Sequence, residues 1–450
     1  YSVPGWAPAA GEYGDLIARE GWSSWFARNP YADWYLNSIR IEGSPSQRFH
    51  VETYGEGFSY DDFVPVFNEA ICAWNPGDWA ELFQQAGAGY VVLTAKHHDG
   101  FLLWPSEFPN PVKEGYVASR DLVGELAEAV RARGMRLGLY YSGGLDWTFD
   151  ETPLQDVVDL LTTVPQGMEY LEYANRHWRE LIERYQPAVL WNDIGYPAGA
   201  DLKALFADYY NQYPDGVIND RWTQFKGSDS RGFQNRLVRA LMSRLIRWVL
   251  ARGASFPASG HFDFRTPEYT SFDKITSHKW EATRGIGYSF GFNRNEGAEH
   301  CLSVEELVRS FVDIVSKNGN LLLNVGPMAD GTIPELQRER LLGLGQWMDV
   351  NGEAIAGTRP WRRAEGRSSE GIDVRFTQGG DALYAILLDK PQGTQVVFES
   401  LHATAGCSVT LLGDGRPLVW KQQGEHLAIT LPDRLGDSPA YTLRLAPWTD

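Results

Sequence analysis

The sequence predicts an α/β protein with a (β/α)8-like barrel of the TIM type followed by a C-terminal antiparallel β-sandwich. Between residues 76 and 326, apolar strand-like runs alternate with amphipathic helical segments, as in a parallel sheet covered by helices. From about residue 358, short alternating strands with Gly, Asp and Pro turns replace this pattern. We therefore expect a barrel domain over 1–357 and a sandwich over 358–450.

The barrel elements follow one another in regular order. The predicted strands are 90–95, 136–142, 187–193, 216–220 and 320–326. The predicted helices are 76–86, 121–133, 168–184, 201–211 and 304–317. So many units over about 350 residues favour a closed barrel over an open doubly wound sheet. No glycine-rich nucleotide loop follows any of these strands, which disfavours a Rossmann fold.

The sandwich is predicted from strands that alternate apolar and polar residues. These strands are 371–377, 382–389, 394–398, 408–412, 417–420, 426–431 and 440–446.

Composition excludes several classes of partner. The 41 Lys and Arg against 58 Asp and Glu give a net charge of −17, which argues against nucleic acid or an anionic membrane as a main partner. No apolar run is long enough to span a bilayer. Cys72, Cys301 and Cys407 form neither a disulfide framework nor a zinc spacing. With no signal-peptide pattern, this favours a cytoplasmic protein, the alternatives being a periplasmic or secreted one.

The segment 90–101 carries the most informative polar residues. An apolar strand runs directly into His97, His98 and Asp99, at the end of a strand where barrel enzymes build their active sites. Buried structural histidines or a metal site are the alternatives. A polar-ligand pocket is favoured because no metal-binding spacing accompanies the pair. Strand alternation sends the two histidines to opposite faces, so both reach one ligand only if the strand end bends.

Asp193 and Arg221 lie at the ends of two further strands. Asp193 follows Trp191 in LWND and suits a nucleophile or a metal ligand, with a helix N-cap as the structural alternative. The guanidinium of Arg221 can hold a sugar hydroxyl or keep a nearby carboxylate ionised. The 17 Trp residues also favour carbohydrate, because aromatic faces stack on the apolar faces of sugars.

Three later acids are candidates for a second catalytic carboxyl. They are Glu268 on a loop after Pro267, Glu281, and Glu296. A retaining glycosidase needs two carboxyls about 5–5.5 Å apart, one as nucleophile and one as acid/base. Spacing along the chain does not choose among the three.

Six long motifs resemble those of the α-L-fucosidases of glycoside hydrolase family 29. They are AGAGYVVLTAKHHDGFLLWPS, RDLVGEL, LGLYYSGGLDW, LWNDIGYP, WEATRGIGYSFGFNRNE and KNGNLLLNVGPMADGTIP, and the likeness runs along nearly the whole chain. The resemblance implies an irregular barrel with a β-sandwich, and an exo-acting, retaining enzyme without metal or cofactor. It also implies terminal α-L-fucosyl groups of oligosaccharides or glycoconjugates as substrate.

The resemblance assigns roles to particular residues. The nucleophile falls on Asp193 and the acid/base on Glu268, with Glu281 as the runner-up. Phe290 matches a residue that lines the pocket for the C6 methyl of fucose. The remaining fucose contacts fall on Asp33, Trp34, His97, His98, Tyr140, Trp191 and Arg221.

Two other functions remain open from the residues alone. One is a fucose-binding protein that has lost turnover, which intact Asp193 and Glu268 disfavour. The other is a retaining glycosidase for another sugar, such as a β-galactoside. Phe290 and Ile194 favour fucose over galactose, because an apolar pocket favours the methyl group of fucose over the hydroxymethyl group of galactose.

The chain departs from the family pattern at three places. It begins at Tyr1 within a motif that follows the family's first barrel strand, so we expect a truncated sequence. Asp33 stands where relatives often carry Glu. An insertion of about thirty residues, roughly 227–262, lies between Arg221 and Glu268.

The insertion contains an amphipathic, arginine-rich segment at 234–252, with Leu237, Leu241, Leu245 and Trp248 or Val249 on one helical face. We expect a helix packed on the barrel rim, or alternatively a pocket lid or a contact in a homo-oligomer. A membrane-surface helix is the least favoured interpretation.

Overall fold

The structure, a computed structural model, describes residues 2–9, 11, 13–225, 238, 241–246, 260–404 and 406–448. The α-helices are α1 (Tyr13–Glu20), α2 (Trp22–Ala27), α3 (Tyr35–Arg40), α4 (Pro45–Tyr54), α5 (Phe63–Ala70), α6 (Pro76–Gln85), α7 (Leu122–Arg131), α8 (Asp159–Thr162), α9 (Met168–Tyr185), α10 (Leu202–Gln212), α11 (Val304–Ser316) and α12 (Glu335–Asn351). The barrel strands are β1 (Tyr90–Lys96), β2 (Arg136–Ser142), β3 (Val189–Asp193), β4 (Tyr196–Pro197), β5 (Val217–Ile218), β6 (Gln224–Phe225), β7 (Phe264–Arg265), β8 (Lys279–Gly285) and β9 (Gly319–Asn324). The later strands are β10 (Arg359–Arg367), β11 (Asp373–Gly379), β12 (Ala382–Leu387), β13 (Gln395–Phe398), β14 (Ser408–Leu411), β15 (Trp420–Gln423), β16 (His426–Thr430) and β17 (Tyr441–Ala446).

Parallel strands form the wall of the predicted barrel. One sheet has the order β1-β2-β3-β5 and a second has the order β7-β8-β9. A parallel bridge between Asn219 and Phe264 connects them. In the part of the chain that the structure describes, β1 and β9 are the outer edges of this wall. All strands of both sheets point the same way, so their carboxyl ends meet at one mouth.

The helices begin where their sequences supply caps. Ser303 and Glu306 form a reciprocal capping box at the start of α11, and the Asp121 carboxylate accepts from Gly124 N at the start of α7. The apolar faces of these helices are buried on the strands, as Leu126 of α7 and Leu139 of β2 show. Each such side chain contributes about 1.5–3 kcal/mol of burial energy, which holds the strand ends in place.

Two antiparallel sheets form the predicted sandwich. The larger has the order β10-β11-β12-β17-β14 and the smaller the order β13-β16-β15. Their facing side chains form a core that includes Trp361, Phe376 and Leu443. A separate apolar cluster packs α11 and α12 of the barrel against β12 of the larger sheet, through residues such as Leu307, Trp347 and Ile386.

A group of four charged side chains, here called the Arg375 cluster, also links barrel and sandwich. Asp313 on α11 contacts both Lys317, the residue that follows this helix, and Arg375 on β11, and Lys317 Nζ lies 2.9 Å from Glu365 on β10. Arg375 Nε donates to Asp313 Oδ1 over 2.6 Å. Two cations thus face two carboxylates, and the cluster is neutral.

Most predicted elements match observed ones to within a few residues, and one strand is misplaced. The prediction at 417–420 is wrong in position, because β15 occupies Trp420–Gln423. Pro417 has no N–H to donate and makes only an isolated bridge to Thr410. The turn at Gly424, whose φ is 61°, pairs Gln423 with His426 and so sets the register of β15. The elements that were not predicted are helices α1 to α5, α8 and α12 and strands β4, β6, β7, β8 and β10.

The domain division at 357 stays a prediction. In the structure this position falls between a short 3-10 helix, Gly352–Ala354, and the start of β10 at Arg359. The predicted helix at 234–252 lies largely outside the described residues. Within it, residues 241–246 are helical, Ser243 Oγ donates to Asp156, and Leu241 and Leu245 are 70% and 53% exposed. Its role and the predicted homo-oligomer stay predictions.

Candidate active site

All ten residues predicted for catalysis and fucose binding line one cavity at the carboxyl ends of the barrel strands. They are Asp33, Trp34, His97, His98, Tyr140, Trp191, Asp193, Arg221, Glu268 and Phe290. Most of the barrel sequence separates the first of these residues, Asp33, from the last, Phe290. Folding therefore brings the ten residues together. The cavity has a volume of about 1690 Å³.

This volume exceeds the roughly 300–1,000 Å³ of most ligand sites. The cavity continues from the mouth along the gap between β1 and β9 to the helix layer, where apolar side chains such as Leu93 and Leu321 line it. The polar residues concentrate at the mouth. We therefore take the mouth, and not the whole volume, as the site.

Three donors fix the carboxylate of Asp193. This residue is the last of β3, and its side chain is 11% exposed. Tyr140 donates its hydroxyl to Oδ2 over 2.8 Å, Arg221 Nη1 donates to Oδ1 over 3.0 Å, and the backbone N–H of Ile194 donates to Oδ1 over 2.9 Å. Burial, together with the nearby Asp193 carboxylate, raises the pKa of Tyr140 well above its ordinary value, so this phenol remains a donor.

The backbone turns sharply directly after Asp193. Ile194 has a φ of 58° and Gly195 a φ of 90°, so the chain leaves the strand through two left-handed residues. For a β-branched residue this conformation is strained, and such strain is typical of active sites. The turn points the Ile194 side chain into the cavity.

Arg221 joins Asp193 to Glu268. Its Nη1 atom lies 3.0 Å from Asp193 Oδ1 and 2.5 Å from Glu268 Oε1. The two carboxylate oxygens can therefore be no farther apart than the sum of these distances, which agrees with the about 5–5.5 Å of a retaining pair. We call these three residues the Arg221 cluster.

A second set of contacts holds the guanidinium. Arg221 Nε donates to Thr266 Oγ1 over 2.8 Å and Nη2 donates to Thr266 O over 2.9 Å. Thr266 Oγ1 in turn donates to Asp220 Oδ1. Burial acts to lower the pKa of Arg221, but the carboxylates of Glu268 and Asp193 outweigh it and raise that pKa. The guanidinium is thus a fixed cation in the site.

The loop that carries Glu268 is anchored to β8. Thr283 N donates to Pro267 O over 2.9 Å, and Tyr269 N donates to Thr283 O over 3.0 Å. Glu268 lies between these two hydrogen bonds, and its side chain is 30% exposed. A carboxyl that is both anchored and open to the cavity can exchange protons with a leaving group or water.

His97 and His98 both face the cavity, because β1 ends at Lys96 and the chain turns before strand alternation could separate them. Their ring centroids lie 3.9 Å apart. Ser142 Oγ lies 2.6 Å from His98 Nδ1 and donates its proton to Leu145 O. The hydroxyl must therefore accept from His98 Nδ1–H. Burial lowers the pKa of His98 well below its ordinary value, so the ring is neutral and Nε2 is an acceptor.

Asp33 connects the histidines to the loop that carries Phe290. Its Oδ2 atom lies 3.5 Å from His97 Nε2, and its Oδ1 atom accepts from Gly291 N over 3.2 Å. The shorter Asp side chain thus still reaches the site.

Aromatic rings form the apolar wall of the mouth. Trp34 lies edge-on to His98, with 5.4 Å between ring centroids. Phe290 lies 5.3 Å from Tyr31 and belongs to the same apolar cluster as Ile194. A small apolar group of a ligand fits against this wall.

Glu281, the runner-up for the acid/base, lies outside the lining of the cavity. It is 2% exposed on β8, Tyr90 donates its hydroxyl to Oε2, and Trp191 Nε1 donates to Oε1 over 2.9 Å. Burial raises its pKa. A carboxyl in this position touches Trp191 and not the cavity.

The described residues contain no group of three or more His, Cys, Asp or Glu side chains that could hold a metal ion. Two supporting residues, Thr266 and Ser142, were not predicted. Thr266 is close to Glu268 in sequence, and this proximity is the only signal that could have suggested it.

Two carboxyl groups that share one cation at the mouth of a barrel are typical of a glycoside hydrolase. The sequence profile of the α-L-fucosidase family matches residues 17–353, and that of the α-L-fucosidase C-terminal domain matches residues 369–446. The chain therefore belongs to the α-L-fucosidase family, and it is an exo-acting, retaining α-L-fucosidase. A binding protein without turnover and a β-galactoside enzyme are not supported by this result.

Relatives and solved structures agree over the length of the chain. Tissue α-L-fucosidase of Rattus norvegicus is 33% identical over 458 residues, covering 99% of this chain and 86% of the relative. The α-fucosidase of Thermotoga maritima, solved with a mechanism-based inhibitor, is 44% identical with a TM-score of 0.82, covering 99% of this chain and 92% of that one. Isoenzyme 1 of Paenibacillus thiaminolyticus is 26% identical with a TM-score of 0.67, covering 93% and 94%.

These likenesses confirm the predicted barrel and sandwich. In the part of the chain that the structure describes, no helix is long and apolar enough to cross a membrane.

Proposed function

We propose that Asp193 is the nucleophile and Glu268 the acid/base of this α-L-fucosidase. In the first step an oxygen of Asp193 bonds to the anomeric carbon while the glycosidic C–O bond breaks, and Glu268 gives its proton to the departing oxygen. In the second step Glu268 takes a proton from water. The water oxygen then bonds to the anomeric carbon, and the bond to Asp193 breaks. The observation that carries the proposal is the single guanidinium in contact with both carboxylates.

The contacts around Asp193 favour Oδ2 as the attacking atom. Oδ1 accepts from both Arg221 and Ile194 N, whereas Oδ2 accepts only from Tyr140 among the contacts of the described residues. Fewer donors leave more lone-pair density for attack. The fixed donors also stabilise the carboxylate when it leaves in the second step.

The sugar-binding residues suit the groups of a 6-deoxy sugar. Neutral His98 supplies an acceptor at Nε2, and His97 and Asp33 supply further polar groups for hydroxyls. Phe290 and Ile194 supply an apolar surface for the methyl at C5. The proposed substrates are terminal α-L-fucosyl groups of fucosylated oligosaccharides or glycoconjugates. Cytoplasmic placement stays a prediction.

Chemical rescue tests the assignment of the nucleophile. Asp193→Gly should abolish turnover of natural fucosides, because no carboxylate is left to attack. Added azide should restore cleavage of an aryl fucoside by entering the vacated space, and should give the β-configured fucosyl azide. Nuclear magnetic resonance of the product distinguishes the two anomers. An α-configured adduct, or activity like that of the unmodified enzyme in Asp193→Gly, would overturn the proposal.

A further inference from the structure

The indole of Trp191 lies between the two side chains that hold Asp193. On one side the Tyr140 ring stacks on it, with 5.3 Å between centroids and an interplanar angle of 23°. On the other side the Arg221 guanidinium lies over its ring at 4.7 Å from the centroid. Tyr140 donates to Asp193 Oδ2, and Arg221 donates to Oδ1. The indole therefore packs against both donors, and a change in its position removes the surface on which they rest.

Glu281 sets the position of the indole. Its Oε1 atom accepts from Trp191 Nε1 over 2.9 Å, and its Oε2 atom accepts from the Tyr90 hydroxyl. The three residues belong to three different strands, β1, β3 and β8, so the carboxylate ties the indole across the barrel interior. An indole has one polar atom and only donates, so this hydrogen bond is the only one that can orient the ring.

We infer that Glu281 is a positioning residue for catalysis: through Trp191 it fixes the two donors that hold the nucleophile. This inference rests on the proposed role of Asp193. It explains a fully buried carboxyl at the back of the site that touches neither the cavity nor Asp193. It also gives this acid a role different from proton transfer.

The chemistry of the two donors predicts which substitution is tolerated. In Glu281→Gln the amide oxygen can still accept from Trp191, and the amide N–H2 can donate to Tyr90, because a phenol both donates and accepts. In Glu281→Leu neither partner is satisfied and the ring is free to tilt. Displacements of about 1 Å at a reacting group can reduce rates on the order of 100-fold.

The chain offers a matched control far from the site. Glu180 on α9 is also a buried carboxylate, and it accepts from Trp104 Nε1 over 3.1 Å and from Ser106 Oγ. Trp104 is buried and does not line the active-site cavity. Glu180→Leu therefore removes the same type of Trp–Glu hydrogen bond from a ring that packs on His177 and not on the donors of Asp193.

The test compares Glu281→Leu, Glu281→Gln and Glu180→Leu in kcat and KM on an aryl fucoside. Glu281→Leu should lower kcat on the order of 100-fold with a smaller change in KM. Glu281→Gln should restore most of kcat. Glu180→Leu should lower the melting temperature and leave kcat unchanged.

The opposite results are informative as well. If folded Glu281→Leu keeps the kcat of the unmodified enzyme, the positioning role is wrong. If Glu281→Leu and Glu180→Leu change kcat equally, both act only through stability, and the inference is again wrong. Should Glu281→Leu fail to fold, Trp191→Phe removes the same hydrogen bond from the other side and must lower kcat more than it changes KM. A failed azide rescue in Asp193→Gly would instead refute the proposed nucleophile, so the two failures are distinguishable.

Discussion

The Arg221 cluster at the barrel mouth and the Arg375 cluster between barrel and sandwich are built from the same kinds of side chain but differ in charge balance. In the Arg375 cluster two cations meet two carboxylates, Asp313 and Glu365. In the Arg221 cluster one cation meets two carboxylates. A balanced cluster joins elements of the fold. The Arg221 cluster has one carboxyl group more than it has cations, and in the proposed mechanism that additional group, Glu268, holds and releases the proton.

The second difference lies in what each cluster faces. The Arg221 cluster opens into the active-site cavity, and Glu268 is partly exposed there. The Arg375 cluster lies between α11, β10 and β11, and its members contact one another. The ratio of carboxyl groups to cations and the position beside a cavity, and not the presence of an ion pair, therefore distinguish the proposed catalytic cluster from the structural one.

The largest effect is expected from removing the shared cation. Arg221→Met should lower kcat/KM for an aryl fucoside on the order of 10³-fold, because Asp193 and Glu268 both lose their fixed donor. Steady-state kinetics on the purified variant measures this. Circular dichroism and a melting curve would show whether the barrel remains folded.

Arg375→Met is the matched variant in the other cluster. It should cost about 1–3 kcal/mol of folding free energy, because Asp313 loses a close charged partner, and it should leave kcat/KM unchanged. Denaturant unfolding and kinetics on the same preparation measure both quantities. A variant of Arg375 that loses activity while keeping its stability would refute the distinction between the two clusters.

A selective effect is expected from Glu268. Glu268→Ala should slow fucosides with poor leaving groups on the order of 10²-fold and slow activated aryl fucosides much less, because only the former need a proton from the acid. Plotting log kcat/KM against the pKa of the leaving group gives the dependence. If Glu281→Ala shows this dependence and Glu268→Ala does not, the roles of the two must be exchanged.

The smallest effect concerns Glu296, a carboxyl that is held by backbone N–H groups. Burial raises its pKa from 4.5 to about 7, although the N–H groups of Ser289 and Tyr288 act to lower that pKa. Between these two pH values the unfolded chain releases this proton and the folded chain retains it, so stability falls as pH rises through this window. Glu296→Gln does not titrate. The melting temperature of Glu296→Gln minus that of the unmodified protein should therefore be larger at pH 8 than at pH 5.

A difference in melting temperature that does not change with pH would show that Glu296 does not titrate in this window. Activity measured on the same samples serves as the control, since the carboxyl of Glu296 does not line the cavity.

The sequence predicted the barrel because its strands and helices carry strong periodic patterns, but it did not predict β8. This strand contains Glu281, Thr283 and Arg284, which are polar, although Glu281 and Thr283 point into buried positions. Polar residues in a strand interior remove the apolar pattern on which strand prediction depends. The sequence motif in this segment could be recognised, but its strand conformation could not be predicted.

The site residues could be predicted where they follow strands and not where they depend on distant contacts. Asp193, His98 and Arg221 each come directly after an apolar run or end one. Thr266 holds Arg221 across 45 positions of the chain, and no local pattern marks such a contact. The spacing along the chain could not decide whether Glu268 or Glu281 is the acid/base. Burial separates them, because Glu281 is 2% exposed and the Glu268 side chain is 30% exposed.

The left-handed turn at Ile194 restricts which substitutions another loop can tolerate. The carbonyl of Ile194 lies where a Cβ on Gly144 would stand, so position 144 admits only glycine as long as the turn keeps its shape. Mutational tolerance at 144 on one loop is therefore decided by the conformation at 194 on another. A substitution at 144 becomes tolerable only after the turn at 194 has changed. The loop that follows the proposed nucleophile therefore restricts the sequence of the neighbouring loop.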